Sequence, residues 1–292
     1  VRRLLITGGS GYLGSQLVKA AEGWDVCATY HSRPFTPIRG AALPLDLRDA
    51  DAAQAVVAET RPFAVIHTAC SNRDPENVSA IVPAARALAA AARDSGARLI
   101  HVSTDLVFDG EHAPYADEAR PDPITDYGRA KAEAERIVAE WYPPALVVRP
   151  SLIWSLDPLD RQTGWLVDGA RRGARVTLFA DEYRCPVHVL DLCAALLELA
   201  ARPDVSGPMN LVGPQSLSRW DFGLKLLAAL RLPRGPNVLP GAVKESGLVR
   251  ARNLTLTAER AQRLLAARLR SVDEVLSPMM EARPRSPRYC EG

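Results

Sequence analysis

No apolar run in this 292-residue chain is long enough to cross a bilayer as a helix, which excludes a membrane span of that kind. No basic leader with a cleavage site precedes the first apolar run, Leu4 to Ile6, so a cytoplasmic protein is expected. Cysteines are few. Cys27, Cys70, Cys185, Cys193 and Cys290 are odd in number and widely spaced, and they form no CxxC or Cys/His cluster. Free thiols in a reducing compartment are therefore expected, and a disulfide framework or a metal site is not. Charge of one sign is missing as well: 36 Lys and Arg stand against 34 Asp and Glu, a net charge of +2, and the basic residues are scattered. That excludes nucleic acid as an expected partner. Lysine itself is scarce, with Lys19, Lys131, Lys225 and Lys244 set against a crowd of arginines.

Apolar residues make up 47% of the chain and charged residues 24%, enough to bury a sizeable core. Short β-rich runs alternate with Ala-rich stretches through the first half. Strands are predicted at 3–7, 25–30, 64–68, 99–103 and 145–149, each compact and apolar, as strands buried on both faces are. Helices are predicted between them at 12–21, 50–59, 77–94 and 126–141. Such β-α repeats predict an α/β fold, a Rossmann-type doubly wound parallel sheet with right-handed crossovers. After Pro150 the rhythm breaks. Gly, Pro and Asp become frequent over 155–164, 202–208 and 233–241, and the helices predicted at 189–201, 219–230, 258–267 and 272–280 no longer alternate with strands. The expected organisation is a nucleotide-binding domain over 1–150, with 187–201 returning to it, and a smaller substrate-binding region over 151–292. The tail, RPRSPRYCEG, is expected to fray.

The first strand ends in TGGSGYLG, so Gly8, Gly11 and Gly14 follow a strand and open a helix. That is the context of a dinucleotide site: backbone, here including Tyr12 and Leu13, comes close to a pyrophosphate at a helix N-terminus. The spacing is GxxGxxG rather than GxGxxG, and glycines also serve simple tight turns. An NAD site usually carries Asp or Glu about 20 residues further on, at the end of the second strand. Here that end reads ATYHSRP. No carboxylate is present, and His31, Ser32 and Arg33 stand where a 2′-phosphate would lie, which favours NADP(H) and leaves NAD(H) open. Asp46 and Leu47, in LPLDLRD, are candidates for the adenine edge; Asp46 could equally cap the next helix.

Tyr127 and Lys131 lie four apart in DYGRAKAEAE and so share one helix face. A phenol is a poor acid at neutral pH, and a fixed ammonium beside it favours the phenolate and brings it towards the working range. Upstream, Ser103 and Thr104 emerge at the carboxyl end of a buried strand, where ligands of open α/β folds bind and where a hydroxyl can orient a carbonyl.

TGGSGYLG, VSTDLVFDG and YGRAK together resemble the extended short-chain dehydrogenase/reductase superfamily. STDLVFDG and DYGRAKAEAE resemble its branch of dTDP-4-dehydrorhamnose reductases and their sugar-nucleotide-binding relatives. The resemblance covers the first 150 residues, continues through RPSLIW and EYRCPVHVLDLC, and fades beyond Pro214. It implies Tyr127 as the acid that protonates a keto oxygen, Thr104 bonded to that oxygen, and Lys131 on the nicotinamide ribose. It also implies Thr68, Ala69 and Cys70 along the cofactor. Ser71, Asn72 and Arg73 are expected near the substrate cleft. Trp154 and Arg184 are placed beside the sugar nucleotide, as a stacking plane and a diphosphate contact, or else in ordinary packing and an ion pair. The segment 157–164 is a flexible substrate loop or only a polar connection. A helix asparagine that many relatives carry falls near Ile81, which puts a water-linked proton relay in doubt. Asp105-Leu106 stands where dehydratases have Asp-Glu, so reduction is favoured over elimination. The implied partner is a small molecule, a nucleotide sugar, with a second copy of the chain also conceivable. Other readings are a reductase of a smaller carbonyl, and an NADP-binding regulatory subunit like the accessory subunit of methionine adenosyltransferase.

Overall fold

A computed structural model of the chain describes residues 1–69 and 75–281. Six strands of its central sheet come from the first half: β1 (Arg2–Thr7), β2 (Trp24–Tyr30), β3 (Ala41–Pro44), β4 (Ala64–His67), β5 (Arg98–Val102) and β6 (Leu146–Pro150). A seventh, Gly207–Leu211, completes it, and the order across the sheet is Gly207–Leu211, β6, β5, β4, β1, β2, β3, every pair parallel. Chain order reverses between β1 and β4, and at such a switch point the carboxyl ends of the strands open a crevice for a ligand.

Alternation along the strands assigns each face its helices. Leu5, Val65, Leu99 and Val147 point to the side covered by α2 (Ala50–Thr60), α4 (Ile81–Ser95) and α5 (Asp126–Trp141). Ile6, Ile66, Ile100 and Val148 point to the other side, towards α1 (Tyr12–Ala20) and α7 (Val189–Ala200). Each buried Leu or Ile contributes roughly 1.5–3 kcal/mol. β4, β5 and β6 are buried at every position, the reason they read as continuous apolar runs.

Three expectations change. The helix expected over 77–94 is two, α3 (Pro75–Ser79) and α4, separated by Ala80. Pro83 explains the break: its ring clashes with the carbonyl four residues back and it has no N–H to donate, so it fits only in the first turn of a helix. The segment 157–164 is not one loop. Asp160 caps α6 (Arg161–Arg172), accepting from the amides of Gln162 and Thr163 at 2.9 and 3.1 Å. The Pro- and Gly-rich stretch 202–208 runs directly into the seventh strand, where Pro208 is tolerated because the strand lies at the sheet edge.

Residues beyond β6 build a second, smaller layer around Leu152, Trp154, Leu178, Phe222 and Leu276, with α6, α8 (Arg219–Ala229) and short strand pairs. Segment 187–201 lies instead on the main sheet, α7 packing beside α1. Among the described residues no helix is long and apolar enough to cross a membrane, Cys27, Cys185 and Cys193 are free thiols, and no group of three metal-ligating side chains occurs. Cys290 and the tail expected to fray lie outside the described residues.

Candidate active site

The crevice at the switch point is a groove of ≈ 710 Å³. Its floor is the glycine turn. Gly8 has φ +75, and a Cβ at Gly14 would stand 2.2 Å from the Gly8 carbonyl oxygen, so the strand can turn into α1 this tightly only with glycines. The turn leaves room for a phosphate group against the start of a helix, as a dinucleotide requires. Gly8, Gly11, Tyr12, Leu13 and Gly14 line the groove on this side, and Thr68 and Ala69 line it from the end of β4. The Tyr12 hydroxyl reaches the Pro158 carbonyl at 3.4 Å. Burial, with the Asp160 carboxylate second, pushes the Tyr12 phenol well up, so it stays protonated.

The far end of the groove is lined by His31, Ser32 and Arg33 at the end of β2, and by Asp46 and Leu47 after β3. Asp46 does not cap α2; Asp49 does. Arg48, which no motif in the sequence singled out, lines the groove here as well. Its guanidinium grips both Asp46 oxygens at 2.7–3.0 Å and reaches Glu76 of α3 at 2.8 Å, joining the two banks. Arg48 also holds the Asp46 carboxyl down at about 2. The signal was available: an arginine two residues past an aspartate in a tight turn can fold back on it.

Thr104 ends the loop after β5 and caps the short 3-10 turn Asp105–Val107, its Oγ1 accepting from the Leu106 amide at 3.2 Å. Helix α5 starts beside that turn. Its cap is Thr125, which accepts from the Gly128 amide at 3.1 Å, and a Cβ at Gly128 would lie 2.2 Å from the Leu106 carbonyl oxygen. The glycine after Tyr127 therefore lets the helix press onto the Thr104 turn. Tyr127 is half-buried in the first turn of α5, and one turn on Lys131 is 3% exposed, its Nζ donating to the Val102 carbonyl at 2.9 Å. Beneath Lys131, His67 and His101 face each other across β4 and β5 with ring centroids 5.1 Å apart, and the Thr7 hydroxyl bonds His67 Nδ1 at 2.7 Å. Burial first, and the charge of Lys131 second, push His67 down to about 3 and His101 well below its ordinary value. Both rings are neutral, and the buried cation is the lysine.

Residues 2–283 match the RmlD substrate binding domain family. The chain belongs to this family. It is 31% identical over 248 residues to methionine adenosyltransferase 2 subunit beta of Xenopus tropicalis, covering 80% of this chain and 73% of that one. It is 30% identical over 238 residues to a probable low-salt glycan biosynthesis reductase, Agl14, of Haloferax volcanii, covering 76% and 78%. The fold matches the crystal structure of a dTDP-4-dehydrorhamnose reductase from Bacillus anthracis in complex with NADP, with a TM-score of 0.80 at 24% identity, over 95% of this chain and 98% of that one.

Within this RmlD-family fold several expected site residues are elsewhere. Trp154 is no stacking platform: it is 1% exposed, its ring edge-on to His188 and Phe222 at 5.2 and 5.5 Å in the core of the smaller layer. Arg184 is not open to a diphosphate, because Asp105 holds its guanidinium on two atoms at 2.6 and 2.7 Å. Ser103 is 5% exposed, and its hydroxyl finds no partner among the described residues. Ile81, the first residue of α4, is 1% exposed in the core, an apolar residue where a relay would need a polar one. Cys70, Ser71, Asn72 and Arg73 lie outside the described residues.

Proposed function

We propose that this chain is an NADPH-dependent reductase of a carbonyl on a nucleotide-linked sugar, most simply one that converts dTDP-4-dehydro-L-rhamnose to dTDP-L-rhamnose. The observation that carries this reading is the α5 arrangement: Tyr127 one turn from a buried lysine, on a helix pressed onto the Thr104 turn and touching α3, whose Glu76 and Asn77 line the groove. The glycine cradle and the ≈ 710 Å³ groove suit a dinucleotide. Gly8, Gly11, Tyr12, Leu13 and Gly14 would hold its pyrophosphate, Asp46 and Leu47 its adenine, and His31, Ser32 and Arg33 its 2′-phosphate. Bound and reduced, the nicotinamide supplies hydride. The protein's part is the proton: Tyr127 donates it to the keto oxygen, and Lys131 steadies the phenolate left behind. A hydroxyl at Thr104 orients the carbonyl.

The test is turnover of NADPH with a panel of dTDP-4-keto sugars and non-nucleotide carbonyls. Tyr127→Phe removes the proton donor with little change in packing, and kcat is expected to fall roughly 10²–10⁴-fold with NADPH affinity retained. Turnover only with non-nucleotide carbonyls removes the sugar-nucleotide reading. The likeness to methionine adenosyltransferase 2 subunit beta favours a second reading, a regulatory subunit. That reading gains if the protein binds NADPH and reduces nothing in the panel.

A further inference from the structure

Asp105 follows Thr104, is 0% exposed, and gathers donors from three directions. Arg184 donates from Nε to Oδ2 at 2.7 Å and from Nη2 to Oδ1 at 2.6 Å, Ser151 Oγ donates to Oδ2 at 2.5 Å, and Thr104 Oγ1 donates to Oδ1 at 3.2 Å. The last is the longest of the four. Arg184 comes from the short strand Tyr183–Arg184 of the smaller layer, 79 positions along the chain, and Glu182 stands on its other side at 3.6 Å. Glu182 is in turn held on both oxygens by Arg250 at 2.7 and 2.9 Å. A chain of charge thus runs from Arg250 through Glu182, Arg184 and Asp105 to the Thr104 hydroxyl.

A threonine hydroxyl has one proton to give. If a buried carboxylate claims it, in a charge-assisted bond about twice as strong as a neutral one, none is left for a ketone. We propose that Arg184 is a positioning residue for the reduction: by occupying both oxygens of Asp105 at 2.6 and 2.7 Å, it leaves the Thr104 hydroxyl only a long 3.2 Å bond to that carboxylate, from which its proton can turn onto the substrate carbonyl. This rests on the reductase reading above. It assigns to Arg184 a task other than the diphosphate contact expected from sequence.

Arg184→Met leaves Asp105 with hydroxyl donors only, so the Thr104 proton is drawn to the carboxylate. The expected result is a loss of about tenfold or more in kcat with KM nearly unchanged. Arg184→Lys keeps the charge on Asp105 but not the two-atom grip and is expected to fall between the unmodified enzyme and Arg184→Met, and Arg184→Met with Asp105→Asn, which removes the competing charge, is expected to recover most of kcat. A rise in KM that Asp105→Asn does not relieve would mean that Arg184 binds substrate, and an unchanged kcat in Arg184→Met would mean that Thr104 does not depend on it; either overturns the proposal. A readout without substrate separates this from the reductase reading. In methyl-labelled threonine NMR, with the Thr104 signal identified by its loss in Thr104→Val, the signal should move in Arg184→Met and return in the double variant. A signal that stays put sinks the coupling even if the protein is a reductase. A moving signal in a protein that turns over no carbonyl upholds the coupling and removes the reductase reading.

Discussion

Arg33 is exposed at the rim of the groove beside His31 and Ser32, on the bank opposite Glu76. If its fork holds a 2′-phosphate, Arg33→Ala removes a charge-assisted contact that NADH never makes. NADPH affinity should then fall about tenfold or more while NADH affinity barely changes, as measured by fluorescence titration with the two cofactors. Equal weakening would place the 2′-phosphate on other residues, with Arg48 the other arginine among the described residues lining the groove. Local geometry could be read from the sequence: the glycines follow a strand and precede a helix, and Tyr127 and Lys131 are four apart on one helix. Arg184 and Trp154 could not. Their partners, Asp105 at a separation of 79 positions and the ring of Phe222, are brought to them only by the tertiary fold.

At the scale of elements, the placement of α5 rests on Glu135 as well as on Gly128. Glu135 and Arg149 form a buried pair between α5 and β6, with side chains 6% and 4% exposed and a closest approach of 2.7 Å. Arg149 also donates to the carbonyls of Asp117 and Ala119 and lies over the Phe108 ring. Removing one partner strands the other charge out of water, so Glu135→Ala should cost about 3–5 kcal/mol in urea unfolding. A loss below about 1 kcal/mol would show that the pair is solvated. Five strands of the main sheet, among them β4, β5 and β6 buried at every position but not β3, exposed or half-buried throughout, were legible as compact, mostly apolar runs. The start of α6 was not, since its signal is a single capping aspartate with no apolar run before it. The seventh strand was hidden by Pro208 and by the glycine that opens it, both of which read as a turn until the sheet edge gives them a place.

Over the whole molecule, the neutral histidines under Lys131 make stability depend on pH. His67 takes a proton in the folded state only near about 3, and burial likewise holds His101 well below its ordinary value, whereas in the unfolded chain both do so near about 6.5. The unfolded state therefore binds more protons below pH 6.5. Stability is fully present above that value and is lost as pH falls, by about 2 kcal/mol at pH 5 for His67, with His101 acting in the same direction. Urea unfolding at pH 7 and pH 5 checks this: the drop in His101→Leu should be smaller than in the unmodified protein, and an equal drop in both proteins would remove this histidine as a cause. The sheet itself spans more of the chain than its first six strands suggest. Until residues 207–211 pair with β6 and α7 packs beside α1, one edge is an open row of backbone donors and acceptors, and one face of the sheet is covered by α1 alone. A fragment cut at Pro150 is therefore expected to be sticky along that edge, and during synthesis the first six strands stay unfinished until residues 207–211 have left the ribosome.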